Sequence, residues 1–185
     1  MLCRKLPEGG IRGRIVEVEA YTGQTDPGSH AFRGVTARTR VMFGPAGYLY
    51  VYFTYGMHFC MNVVTEQDGT AGAVLLRAVE PLDGIGVMET LRGPRPVVEL
   101  CNGPAKLCQA FAIDRRHNGL DLEGDELWIE DDGQRSNAVG VSARVGLSAG
   151  QDLPFRFYVA DNPFVSRGRP STGYNSRAPA VVSKE

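Results

Sequence analysis

Arg14-Ile15-Val16-Glu17-Val18-Glu19-Ala20-Tyr21 is the stretch on which the reading of this chain turns. Apolar residues, most of them β-branched, alternate there with polar ones at a period of two, which is the pattern of a strand. Val16, Val18 and Ala20 then share one face, and Glu17, Glu19 and Tyr21 the other. That register sets two carboxylates and a phenol side by side. The turn signals Thr22-Gly23 and Asp26-Pro27-Gly28 end the strand and bring His30 back towards it. A carboxylate, an aromatic ring and a histidine converging at a strand end suit a catalytic site. The alternative is a solvent-facing strand with ordinary surface acids.

Composition bounds the classes. With 185 residues, 43% of them hydrophobic, the chain is long enough for one domain with its own core. It has no run of about 18 apolar residues, so no membrane span is expected. The opening Met1-Leu2-Cys3-Arg4-Lys5 lacks the apolar region of a secretory signal. Cys3, Cys60, Cys101 and Cys108 form no CxxC pair and no His/Cys ligand spacing. Reduced thiols in a cytosolic protein are therefore expected rather than a zinc site. There is no internal repeat. Residues 1–166 read as the domain, and residues 167–185, rich in Gly, Pro, Ser and Arg, as a loosely held extension. A net charge of −1 does not advertise a nucleic-acid binder, but the charges are unevenly placed. Arg33, Arg38 and Arg40 follow His30 with no acid among them, while Asp121, Glu123, Asp125, Glu126, Glu130, Asp131 and Asp132 crowd together. One basic working face and an acidic back would fit, as would a mixed, solvated surface.

Tyr48 to Tyr55 reads as an aromatic-rich strand, Tyr55-Gly56-Met57 as a tight turn, and His58 to Val64 as the returning strand of a hairpin. Tyr48, Tyr50 and Tyr52 share one face, Leu49, Val51 and Phe53 the other, so about half of the aromatics serve the core. An aromatic and a methionine flank the turn glycine, where a polar tip is expected. Such a tip calls for something to cover it, and the step between DNA bases is a candidate. A third strand is expected over 71–79. Arg77 interrupts its apolar run and either pairs with a carboxylate such as Glu19 or reaches the sheet edge and solvent. Residues 84–92 suit a short helix, 92–96 a loop, and 103–111 a helix with Pro104 in its first turn. Its glycine-preceded N-terminus with Lys106 in the first turn would suit a phosphate. Residues 125–130 and 154–159 read as further strands.

Together these residues resemble the alkyladenine (3-methylpurine) DNA glycosylase family. The resemblance runs in order through Arg14 to Tyr21, His30, Tyr48 to Asn62, Leu75 to Pro81, Leu100 to Ala110, Ala143-Arg144-Val145-Gly146 and Arg156-Phe157-Tyr158-Val159. It implies a single α+β domain with a curved, mainly antiparallel β-sheet core, flanking helices and a protruding DNA-intercalating β-hairpin, similar to the FMT C-terminal domain. It implies hydrolysis of the N-glycosidic bond of damaged purines in double-stranded DNA, as in a DNA-3-methyladenine glycosylase, without metal or cofactor.

The resemblance also implies roles. Glu19 matches the general base that activates water, and Arg77 the arginine that holds that water and the carboxylate. Tyr21, His30 and Tyr52 match the residues that sandwich and contact a flipped base, which stacking would stabilise by about 1–3 kcal/mol. Asn62 matches a pocket amide that collides with the exocyclic amino group of guanine. Tyr55, with Met57 beside it, matches the wedge that fills the hole in the duplex, and Lys106 a phosphate contact. No lysine lies near Glu19, Tyr52 or Asn62, so single-step hydrolysis without a Schiff base or strand cleavage is expected. The protein is expected to act as a monomer, away from membranes, in the bacterial cytoplasm or a eukaryotic nucleus. Departures from the family pattern are the lack of an upstream helix, which would leave part of the sheet uncovered, His58 where tyrosine is common, and a short 92–98 segment. The rival readings are a binder that stacks bases on the aromatic strand, and a homologue that senses damage without cleaving.

Overall fold

The long strand expected around Glu17 and Glu19 is the spine of the molecule. The computed structural model describes residues 1–136 and 138–171. Eight strands form one sheet: β1 (Leu2–Leu6), β2 (Gly9–Tyr21), β3 (Leu49–Thr54), β4 (His58–Val64), β5 (Ala73–Asp83), β6 (Leu127–Ile129), β7 (Val139–Ser142) and β8 (Arg156–Val159). Two α-helices, α1 (Ile85–Arg92) and α2 (Pro104–Ala110), follow β5. The main path runs β3-β4-β5-β2-β1-β6, β8 joins β2 to β7, and each pairing is antiparallel. This is the single α+β domain with a curved antiparallel sheet that the sequence implies.

The curl originates in β2. Its register against β5 shifts between Arg12 and Gly13, between Ile15 and Glu17, and between Glu17 and Val18. Extra residues of this kind bend a strand and tighten its twist. One edge of β2 stays on β5, while the other pairs first with β1 through Gly9–Gly13 and then with β8 through Glu17–Glu19. Both edges of β2 are therefore paired where its acids lie. Glu17 and Glu19 are 1% and 0% exposed, and the solvent-facing strand is overturned. The irregular register beside Gly13 also lets β5 run on through Pro81 to Asp83, four residues past the expected end.

Residues 2–6, read from sequence only as the opening of the chain, form β1 and cover the N-terminal half of β2. β7, which the sequence did not signal, lies against β8. α2 packs on β4 and β5, and α1 against α2. Leu49, Val51, Met61, Leu76, Met88 and Leu107 belong to the main core between helices and sheet; each such buried side chain contributes about 1.5–3 kcal/mol. A second cluster, built on Met42, Phe43, Tyr50, Val64 and Ala73, lies under the loop that carries His30. The aromatic strand thus serves both: Leu49 and Val51 face the first core, Tyr50 and Tyr52 the second.

The acidic stretch is not a bare back. Arg14 pairs with Asp132 at 3.0 Å, Arg4 with Glu126 at 3.2 Å and Arg135 with Asp131 at 2.7 Å, and Arg12 contacts Glu130. At the start of the expected loose extension, the Ser171 amide donates to the Arg144 carbonyl at 2.8 Å and Pro170 bridges to Val145. Residues 172–185 of that extension lie outside the described residues.

Candidate active site

Glu19 sits where the bulged part of β2 meets β5 and β8. Its carboxylate accepts from the Tyr21 hydroxyl at 2.9 Å and from the Val145 amide at 2.7 Å, and Arg77 Nη1 stands 3.3 Å away. Two of these partners use Oε1 and only Tyr21 uses Oε2, so Oε2 keeps acceptor capacity for another donor. Arg77 is 5% exposed, so it does not run out to the sheet edge. Its Nε donates to Glu17 at 2.8 Å and its Nη2 to the Ser166 hydroxyl at 3.2 Å. The carboxylate expected to partner a buried Arg77, Glu19, is present, and Glu17 is added to it.

Burial, and the Glu19 charge beside it, raise the Tyr21 phenol well above its ordinary pKa, so it remains a proton donor at neutral pH. Behind the same ring lies Arg144, whose guanidinium carbon is 4.5 Å from the Tyr21 centroid. Arg144 is 0% exposed; its Nη2 donates to Asp26 at 2.7 Å, its Nη1 contacts the other oxygen of Asp26, and it caps the Ala20 carbonyl at 3.0 Å. Asp26 was legible only as a turn former, and its Oδ1 does accept from the Gly28 amide at 2.9 Å. Gly28 lies so close to Arg144 that a Cβ there would come within 2.7 Å of Nη2. The turn and the buried pair are one device, and it fixes the Tyr21 ring.

His30, Tyr50 and Tyr52 form an aromatic cluster beside Tyr21. The His30 and Tyr52 rings meet edge to face at 4.5 Å, and Tyr50 stacks on Tyr52 at 5.6 Å. His30 Nδ1 pairs with the Tyr50 hydroxyl at 3.0 Å, and Arg38 Nη2 lies 3.2 Å from Nε2. Burial and the Arg38 charge push the His30 pKa down from 6.5 to about 4. The neutral form is the one the fold favours, so proton uptake below 6.5 works against the folded state. Wild type should therefore lose more stability between pH 6.5 and 4 than His30→Asn, read from urea midpoints. Equal pH dependence of the two proteins would refute this.

Asn62, 4% exposed, is held by its own strand pair, donating its amide to the Tyr50 carbonyl at 3.1 Å. A cleft of about 310 Å³ is lined by Glu19, Arg77, Tyr21, His30, Tyr52 and Tyr55, among others. A smaller pocket shares Tyr21, His30 and Tyr52 and reaches Tyr50, Met42 and Asn62. The fold thus gathers Glu19, Arg77, Tyr21, His30, Tyr52 and Tyr55 around one cleft, with Asn62 in the pocket that shares three of these residues with it. Tyr55 and Met57, 82% and 68% exposed, stand at the tip of the β3–β4 turn. Arg33 and Arg40 are exposed and line neither cavity, whereas Arg38 lies over the Tyr52 ring at 5.4 Å. Lys106 donates to Asn102 at 2.7 Å, one residue pair beyond Pro104 at the cleft wall. His58 opens β4, with its Nδ1 turned inward and unpartnered among the described residues.

The sequence reading missed the roles of Glu17, Asp26, Tyr50, Arg144, Arg156 and Ser166. Arg144 and Arg156 lay within recognised motifs, and only their spatial partners were hidden. The four cysteines are free and buried, and burial raises each thiol above its ordinary pKa.

The methylpurine-DNA glycosylase family model matches residues 1–163. A protein of Carboxydothermus hydrogenoformans named "Putative 3-methyladenine DNA glycosylase" is 52% identical over 157 residues, 84% of this chain and 82% of that one. Proteins of the same name from Alkaliphilus oremlandii and Chlorobium luteolum are 47% and 48% identical, over 85% and 92% of this chain and 84% and 88% of theirs. By this match and these relatives, this chain belongs to the methylpurine-DNA glycosylase family.

Proposed function

We propose that the chain is a monofunctional DNA glycosylase that hydrolyses the N-glycosidic bond of alkylated or deaminated purines flipped out of double-stranded DNA. The observation that carries this is the buried Glu19 carboxylate, held by Arg77, Tyr21 and the Val145 amide at the wall of an aromatic cleft, with acceptor capacity left on Oε2. A water donating to that oxygen gives up a proton to Glu19 as its oxygen attacks the sugar anomeric carbon. The glycosidic electrons leave with the base, and an abasic site remains. A purine alkylated to a cation departs neutral; a neutral purine must also gain a proton. The developing positive charge on the sugar is stabilised by the carboxylate. Among the described residues no lysine lines the cleft, which supports water rather than an amine as the nucleophile.

The base would enter against Tyr21, His30 and Tyr52, displacing the exposed Arg38 side chain from the Tyr52 ring, with Asn62 at the pocket floor. Arg33, Arg38, Arg40 and Lys106 would meet phosphates. The enzyme is taken to act as a monomer on duplex DNA.

Tyr55 would fill the space left by the extruded base. It occupies the left-handed region at φ 51, followed by Gly56 at φ 69. For a bulky residue that conformation costs about 1–2 kcal/mol. Tyr55→Asn should therefore raise the urea midpoint by about 1 kcal/mol of stability, because asparagine tolerates this region. The same variant should lose more excision from paired duplexes than from mismatched, easily extruded bases. Equal loss on both substrates would remove the wedge role.

The deciding test is single-turnover base release from duplexes containing hypoxanthine or etheno-adenine, and from methylated DNA. Release that leaves an unbroken but alkali-labile strand is the expected result. Binding without release would make the chain a damage sensor, and cleavage without alkali would require a lyase step.

A further inference from the structure

Glu17 is buried beside the proposed base, yet water activation as described makes no direct use of it. It is 1% exposed and gathers four donors: Arg77 Nε at 2.8 Å, Arg156 Nε at 2.7 Å, and the Ser166 amide and hydroxyl at 2.6 and 2.9 Å. These come from β5, β8 and the segment after β8, so three parts of the chain converge on one carboxylate. Burial alone would raise its pKa, but the Arg77 and Arg156 charges and the Ser166 amide outweigh that and hold it below the ordinary carboxylate range. It is therefore an anion at neutral pH.

Resting on the reading of Glu19 as the base, we propose that Glu17 is a positioning residue that fixes Arg77 for catalysis. Glu17 takes Nε of the guanidinium and Ser166 takes Nη2, which leaves Nη1 as the corner that faces Glu19 at 3.3 Å. A planar fork held at two corners cannot turn, so the third is aimed. Arg156 is the counterion that lets a second carboxylate be buried two residues from the first: its Nε bonds Glu17 while its Nη1 donates to Ser142 at 3.2 Å. The charged and titratable groups around Glu19 are Arg77 from β5, Tyr21 and Glu17 from β2, Cys60 from β4, and Arg156 from β8, acting through Glu17. Arg144 adds a charge behind Tyr21. Among them Glu17 is the other carboxylate, and its bonds aim Arg77.

Glu17→Gln removes the charge and sets an amide against one of the donors. The maximal single-turnover rate should fall by about 10²-fold, the cost of a small misplacement, while DNA affinity stays unchanged. Glu17→Asp keeps the charge but shortens the reach, so its rate should fall as well, again at unchanged affinity. Ser166→Ala, which frees Nη2 and removes one donor from Glu17, should also lower the rate with unchanged affinity.

A single-turnover rate equal to wild type in Glu17→Gln overturns the proposal, as does a loss of rate that only follows a loss of DNA affinity. If Glu17→Gln does not fold, Ser166→Ala decides: a lowered rate at unchanged affinity supports the positioning role, and a wild-type rate overturns it. Glu19→Gln run alongside keeps the two readings apart. Survival of excision in that variant refutes the base itself, whereas its loss together with an unchanged Glu17→Gln refutes only the positioning role.

Discussion

Glu19→Gln should lower base release from damaged duplex DNA by at least about 10³-fold, with DNA affinity close to wild type. A positioned base is worth about 10²–10⁴ in rate, and the substitution also removes the negative charge beside the developing sugar cation. Glutamine keeps the shape and can still accept the Val145 amide, so the fold should tolerate it, especially as Arg77 retains Glu17. Single-turnover release and equilibrium binding on the same lesion duplex separate the chemical step from recognition. Retained excision would remove Glu19 from the mechanism. A joint loss of binding and stability would show instead that the carboxylate is mainly structural.

Asp26→Ala should be the most damaging single substitution for stability, costing about 3–5 kcal/mol. It leaves the Arg144 guanidinium, 0% exposed, without its carboxylate, and the two carbonyls it also caps do not neutralise a charge. The cost should appear as a lowered urea midpoint. Excision should fall as well, because Arg144 braces the Tyr21 ring that donates to Glu19. Surface pairs set the scale. Arg135 and Asp131, 63% and 66% exposed, meet at 2.7 Å, yet losing that pair should cost no more than about 1 kcal/mol. A cost for Asp26→Ala no larger than this would show that water reaches Arg144 once its partner is gone.

Much of the site was legible because its residues lie on strands, where side-chain direction follows from spacing. Glu19 and Tyr21, two apart on β2, had to share a side, and the Tyr21 hydroxyl does donate to Glu19. Tyr50 and Tyr52 had to share a side, and they stack. The tight turn at Tyr55-Gly56 followed from the glycine between two strand-like runs, and Met57 does donate to the Thr54 carbonyl at 3.2 Å. Where the reading rested on exposure it failed. Alternation shows which residues share a face of β2, but not that β5, β8 and the segment after β8 enclose the polar one.

The sequence by itself determined β2, the paired strands β3 and β4, most of β5, the helix led by Pro104, and the family, through the order of its motifs, while β1 and β7 went unread. Residue type and local spacing, properties of the chain alone, also singled out Glu19, Tyr21, His30 and Arg77, and the resemblance added Tyr52 and Asn62. Only the tertiary structure decided that Glu17 is buried with two arginines, that Asp26 serves Arg144, and that Arg38 rests on the Tyr52 ring. The first two are pairings of charges between residues distant in sequence. Asp26 and Arg144 are 118 residues apart, and Glu17 and Arg156 are 139. A charge is stable inside a protein only when the fold brings its partner to it, and no local pattern records where that partner stands.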